Sequence, residues 1–146
     1  VTATEPALLD LNVLIALAWP QHVHHTRAHQ WFAGWGRPWA TSAITEAGFV
    51  RLSMNAAVVG APVSAASALA SLAAMRSVPG HTYVADHSTL AEPAIALDRL
   101  ATSRQVTDAH LVNLAARAGS VLATFDRRIL DLLEPTDRHH VMVLPA

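Results

Sequence analysis

The chain has 146 residues, 52% hydrophobic and 14% charged, with ten Arg, no Lys and eleven Asp and Glu, for a net charge of −1. That length suits one domain of roughly 100–200 residues with a real core, so residues 1–146 are read as a single domain. The near-neutral balance excludes a broadly basic nucleic-acid binder, the hydrophobicity excludes disorder, and the lack of Cys excludes disulfide scaffolds and thiolate sites.

Ala7-Leu8-Leu9 reads as a short buried strand ending at Asp10, and Asn12 to Trp19 as a helix with Asn12 as its cap. Pro20 ends that helix. A second, His22 to Trp35, carries Val23, Ala28, Trp31, Phe32 and Trp35 on one face and stops at Gly34 and Gly36. Pro38 to Thr41 follows as a strand, and Ser42 caps a helix running through Met54. Ser64 opens an Ala-rich helix to about Arg76, with Leu69, Leu72 and Met75 on one stripe; so little side-chain bulk demands close packing on a neighbour. Pro79-Gly80 is a turn signal before a weak strand, His81 to Ala85, and one or two short helices are expected between Leu90 and Arg104.

Thr107 is the expected cap of a helix from Asp108 to Ala118 that stops at Gly119. Ser120 to Phe125 is the clearest strand, Arg127 to Leu133 a short helix, and His140 to Leu144 a last strand. Short apolar strands alternating with helices make an α/β fold, a three-layer α/β/α sandwich around a mostly parallel sheet. Val1 to Glu5 lacks the positive region of a signal peptide. The apolar stretch Ala7 to Trp19 contains Asp10 and Asn12 and is shorter than the ~20 residues of a membrane span. A cytoplasmic protein without a membrane partner is the expectation.

The acids carry the chemistry. Asp10 ends an apolar strand, Glu46 lies early in a helix of Ala, Ile, Phe and Val, Asp108 sits in a helix's first turn, and Asp126 follows the strand ending at Phe125. In a parallel sheet, strand C-termini and helix N-termini gather on one edge, where ligands bind, so Asp10, Asp108 and Asp126 converge there and Glu46 can join them. Each has a plainer reading as a cap or first-turn acid, which Asp10 resists because a carboxylate in an apolar run needs a partner. With no Lys to neutralise them, converging carboxylates call for a divalent cation. Oxygen ligands favour Mg²⁺, with Mn²⁺ as substitute, over zinc.

These residues carry a resemblance. Leu8-Leu9-Asp10-Leu11-Asn12-Val13-Leu14-Ile15 resembles the opening motif of PIN-domain ribonucleases, and Ser42-Ala43-Ile44-Thr45-Glu46 resembles their second acidic motif. Val106-Thr107-Asp108-Ala109-His110-Leu111 is similar to the third and Leu122-Ala123-Thr124-Phe125-Asp126 to the fourth. Order, spacing and length resemble the VapC toxins of bacterial toxin–antitoxin pairs. The resemblance implies a PIN-like fold and a magnesium-dependent endoribonuclease that cuts structured RNA such as tRNA or rRNA. It also implies a homodimer and a small cognate antitoxin that blocks the groove. By position, Asp10, Glu46, Asp108 and Asp126 would be the acidic quartet, with Asn12 and Thr124 as hydrogen-bonding support. Asp10, Asp108 and Asp126 are expected as metal ligands, and Glu46 as a group orienting water.

Arg127 and Arg128 directly follow Asp126 and are candidates for RNA phosphate contacts, or simply solvated residues at a helix start. His110, two residues after Asp108, does not share its face and reads as a packing or surface histidine. His22, His24, His25 and His29 read as decoration of an exposed helix face, with zinc between His25 and His29 as the minority alternative. Trp19, Trp31, Trp35 and Trp39 read as core or interface before stacking platforms. No nucleophile elbow or glycine-rich phosphate loop is present. Two rivals remain: a PIN-fold nuclease acting on DNA or in RNA processing, and a non-catalytic α/β interaction module whose acids are caps.

Overall fold

Residues 5–146 are described by a computed structural model of the chain; residues 1–4, read above as part of a segment without a targeting signal, lie outside it. β1 (Ala7–Leu9) pairs in parallel with β2 (Trp39–Ser42) on one side and β4 (Val121–Thr124) on the other. β3 (His81–Val84) extends the sheet beyond β2, and β5 (Val141–Val143) beyond β4, giving the order β3-β2-β1-β4-β5 with every pairing parallel.

Side chains alternate across this sheet as a period of two requires. Leu8, Ala40 and Leu122 enter one core with Leu111, Ile129 and Leu132, while Ala7, Leu9, Val121 and Ala123 enter the other with Leu14 and Phe49. Helices α1 (Leu11–Ala18), α2 (His25–Trp35), α3 (Ala43–Ser53), α4 (Ala56–Val59) and α5 (Ala65–Arg76) follow β1 and β2, and α6 (Val106–Ala118) precedes β4. Both faces are covered, which is why the central strands read as unbroken apolar runs. Among the described residues no helix is long and apolar enough to cross a membrane.

Several boundaries differ from the sequence reading, each for a local reason. α1 begins at Leu11 and its cap is Asp10, whose carboxylate accepts from the Leu11 amide at 2.7 Å; Asn12 is therefore inside the helix. α2 starts at His25, because the His22 Nδ1 accepts from the His24 amide and holds residues 22–24 in a turn. Its stop at Gly36 uses a left-handed φ of 62°. α4 was not foreseen; Asn55 caps it through the Ala57 amide. On α5 it is Ala68 that is buried, whereas Leu69 is exposed.

Between Leu90 and Arg104 the only helical turn is the 3₁₀ segment Ser103–Gln105, just before α6. The Asn113 side chain accepts from the Ala94 amide, Asp137 accepts from the Ala96 amide, and Arg117 donates to the Glu92 carbonyl. The capping box at this end is Thr102 with Gln105, so Thr107 lies within α6. The last helices are 3₁₀ turns, Arg127–Leu132 and Pro135–His140.

Candidate active site

The chain lays β2 and then β3 to one side of β1, and returns through α6 to place β4 on the other. The crevice of such a sheet opens where the direction of progression reverses, between β1 and β4. Asp10 stands one residue past β1 and Asp126 two past β4, across a register that pairs Leu9 with Ala123. Asp108, in the first turn of α6, lines the same cavity of about 310 Å³.

A tight polar knot fixes the floor of this crevice. Thr124 Oγ1 donates to Asp10 Oδ2 at 2.7 Å and accepts from Asn12 Nδ2 at 3.1 Å and from the Asp126 amide at 3.0 Å. Asn12 Oδ1 accepts from the Phe125 amide at 3.1 Å. One hydroxyl and one amide thereby lock the ends of β1 and β4 together and orient two acids.

The acids differ in environment. Burial raises Asp10 above its ordinary value, against hydrogen bonds from Thr124 and the Leu11 amide. Asp108 accepts no hydrogen bond among the described residues; burial, then the Asp10 and Asp126 carboxylates, push it up to about 6. Asp126 is held low, chiefly by Arg128, which donates through Nε and Nη2 at 3.0 and 3.1 Å. Arg128 is highly exposed, so water screens much of this pairing.

Glu46 is placed elsewhere. It accepts from Arg76 Nη1 at 2.6 and 2.9 Å and from Thr41 Oγ1 at 2.6 Å, and Thr41 is in turn hydrogen-bonded to His81 Nε2 at 2.7 Å. It is not among the residues that line the cavity with Asp10, Asp108 and Asp126. The structure thus joins three of the four sequence-predicted acids and builds the fourth into an ion pair tying α3 to α5. The idea that the acids lack basic partners is corrected at the same time, since Arg76 and Arg128 supply them.

Arg127 is exposed at the start of its 3₁₀ turn, with no partner among the described residues. His110 pairs with Asp86. His29 lies exposed on α2 and His25 is half-buried, yet neither is idle: His25 Nδ1 and His29 Nε2 bond the Ala16 and Leu17 carbonyls at 2.7 and 2.8 Å, satisfying the end of α1. Trp19 donates to Ser53 Oγ and stacks on Phe49, and Trp39 is buried.

Two cations escaped the sequence reading. Arg51 lines the cavity without a partner among the described residues, and Arg104 lines an adjoining cleft with Asp108 and Asp126. Helical spacing was the available signal for Arg51: Thr45, Gly48 and Leu52 share its face, and Glu46 does not.

Among the described residues no three His, Asp or Glu side chains are arranged to hold a metal ion between them. Magnesium is commonly held by one or two carboxylates with water completing its shell. The all-oxygen donor set, and an Asp108 whose repulsion from its neighbours a cation would relieve, fit that mode.

A PIN-domain family model matches residues 7–133. Ribonuclease VapC39 of Mycobacterium tuberculosis is 49% identical over 127 residues, covering 86% of this chain and 91% of that protein. Ribonuclease VapC38 of the same organism is 44% identical over 139 residues, 94% of this chain and 97% of its own length. Ribonuclease VapC44 is 38% identical over 141 residues, 94% and 99%. With its acids at the switch point of a five-stranded parallel sheet, the chain belongs to the PIN-domain family, within its VapC branch.

Proposed function

We propose that the protein is a magnesium-dependent endoribonuclease toxin, acting on structured RNA such as tRNA or rRNA and neutralised by a small cognate antitoxin. One observation carries the reading: Asp10, Asp108 and Asp126 line one cavity at the sheet's switch point, where burial and then the other two carboxylates raise Asp108. Caps of a passive interaction module need no such convergence. A homodimer is part of the proposal by family membership.

Hydrolysis of a phosphodiester needs a nucleophilic water, relief of charge on the non-bridging oxygens and a stabilised leaving oxygen. Asp10 and Asp108 would hold a divalent ion, with Asp126 joining them through water, and when bound that ion would supply Lewis acidity and water activation. The chain's own groups do the rest. Thr124 and Asn12 keep the Asp10 carboxylate oriented, so it need not reorganise during the reaction. Asp126, kept ionised by Arg128, orients water at the crevice mouth. Arg104, Arg127 and Arg128 face the phosphates on either side of the cut. Glu46 acts at a distance by holding α3 in place through Arg76.

The test is direct. Purified protein incubated with total cellular RNA should cut it with Mg²⁺ or Mn²⁺ and not in EDTA, with defined ends on mapping. Asp10→Asn should lose activity by about 10³-fold while keeping its fold. Equal cutting by that variant, or cutting of DNA alone, would overturn the reading.

A further inference from the structure

The cavity beside the acids is built of more than acids. Its other wall is apolar, formed by Leu11, Ile15, Ile44, Leu52, Val58 and Leu111. A phosphodiester has no apolar surface to place there. A nucleobase has two apolar faces and a polar edge, and RNA is read in sequence chiefly through bases splayed out of the stack. At about 310 Å³ the cavity lies at the small end of ligand pockets.

The rim adds polar groups of the right kind. Arg51 lines the cavity together with three carboxylates and has no partner among the described residues. His22 lines both this cavity and the neighbouring cleft that holds His24, Phe125 and Arg128. Because its Nδ1 accepts from the His24 amide at 3.1 Å, its proton sits on Nε2, a fixed donor. Thr107 contributes an exposed hydroxyl.

We infer that this cavity is a base subsite. It takes one nucleobase unstacked from the RNA strand next to the phosphate at the acids, and Arg51 binds a phosphate flanking that nucleotide. His22 and Thr107 meet the polar edge of the base, which makes the cavity a source of sequence preference. The inference rests on the RNA-cleaving reading, yet it fails or stands on a separate measurement.

That measurement is equilibrium binding, by fluorescence anisotropy in EDTA, of labelled RNA homodecamers and of an abasic ribose-phosphate decamer of equal length. The wild-type chain should bind its best homodecamer about 10-fold to 100-fold more tightly than the abasic strand. Val58→Phe, which fills the cavity, should bring that RNA down to the abasic level. Ile44→Trp serves the same purpose from a residue already 38% exposed, should Val58→Phe not fold. Arg51→Ala should weaken all strands alike and make the salt slope shallower by about 0.7. Abasic and natural strands binding within about threefold of each other, or base dependence surviving in a folded filled variant, would overturn the subsite and leave the nuclease reading untouched. Base-dependent binding without any Mg²⁺-dependent cutting would do the reverse.

Discussion

Asp108 is the residue on which function and stability pull hardest in opposite directions. Its carboxyl is raised to about 6 by burial and by two neighbouring acids. A carboxyl whose folded value lies above its unfolded one favours the fold while protonated, and that contribution is lost as pH rises through the folded value. Above pH 6 without metal, Asp108 is therefore an ionised liability. Asp108→Asn should stabilise the metal-free protein at pH 7.5 by about 1 kcal/mol, discounted for solvent access, or roughly 3 °C in Tm. The advantage should vanish below about pH 4, while RNA cleavage is lost at every pH. Thr124 is the opposite case, a buried hydroxyl serving Asp10, Asn12 and the Asp126 amide at once. Thr124→Val keeps the shape and strands those partners. Chemical denaturation should show a loss of about 2 kcal/mol, with weaker metal binding because Asp10 loses a donor that favours its charged form.

At the level of elements, the phase of α3 decides which of its residues reach the cavity. Thr45, Gly48, Arg51 and Leu52 face it, and Gly48 lets α3 approach so closely that an added Cβ would meet Leu11 Cδ2 at 2.8 Å. Glu46 falls outside that face, so Glu46→Gln should cost no more than about tenfold in cleavage, far less than Asp10→Asn. A double-mutant cycle on Glu46 and Arg76 should give a coupling of about 1 kcal/mol or less, since Arg76 is 41% exposed. His25→Ala, which removes a donor to the end of α1, should cost about 1 kcal/mol in stability and leave cleavage unchanged. Asp10, Asp108 and Asp126 were legible because strand ends and a helix start on a parallel sheet meet by topology alone. The position of Glu46 was not, because helix phase is set by packing against α1 and by the salt bridge to Arg76 from another helix. Residues 90–102 resisted reading for a related reason. Their conformation is held by Asn113, Arg117 and Asp137, side chains distant in sequence.

Over the whole molecule, a net charge of −1 conceals a segregation. Asp10, Asp108 and Asp126 collect in the crevice, with only Asp126 bridged to an Arg, Arg128, while Arg51 and Arg104 line it or its adjoining cleft and Arg127 is exposed beside Asp126, all three without partners among the described residues. With Arg128 as a fourth, these contacts predict a log–log salt dependence of RNA binding with a slope of about −3, shallow for a nucleic-acid enzyme. The most direct test of the central claim is calorimetric titration of Mg²⁺ or Mn²⁺ into the metal-free protein at pH 6 and pH 8, in buffers of differing ionisation enthalpy. Metal binding displaces protons from its ligands. With Asp108 near 6 and Asp10 also raised, at least about half a proton should be released per ion at pH 6 and fewer at pH 8, and Asp10→Asn should not bind. Binding without proton release at pH 6, or binding of equal strength in Asp10→Asn, would contradict it.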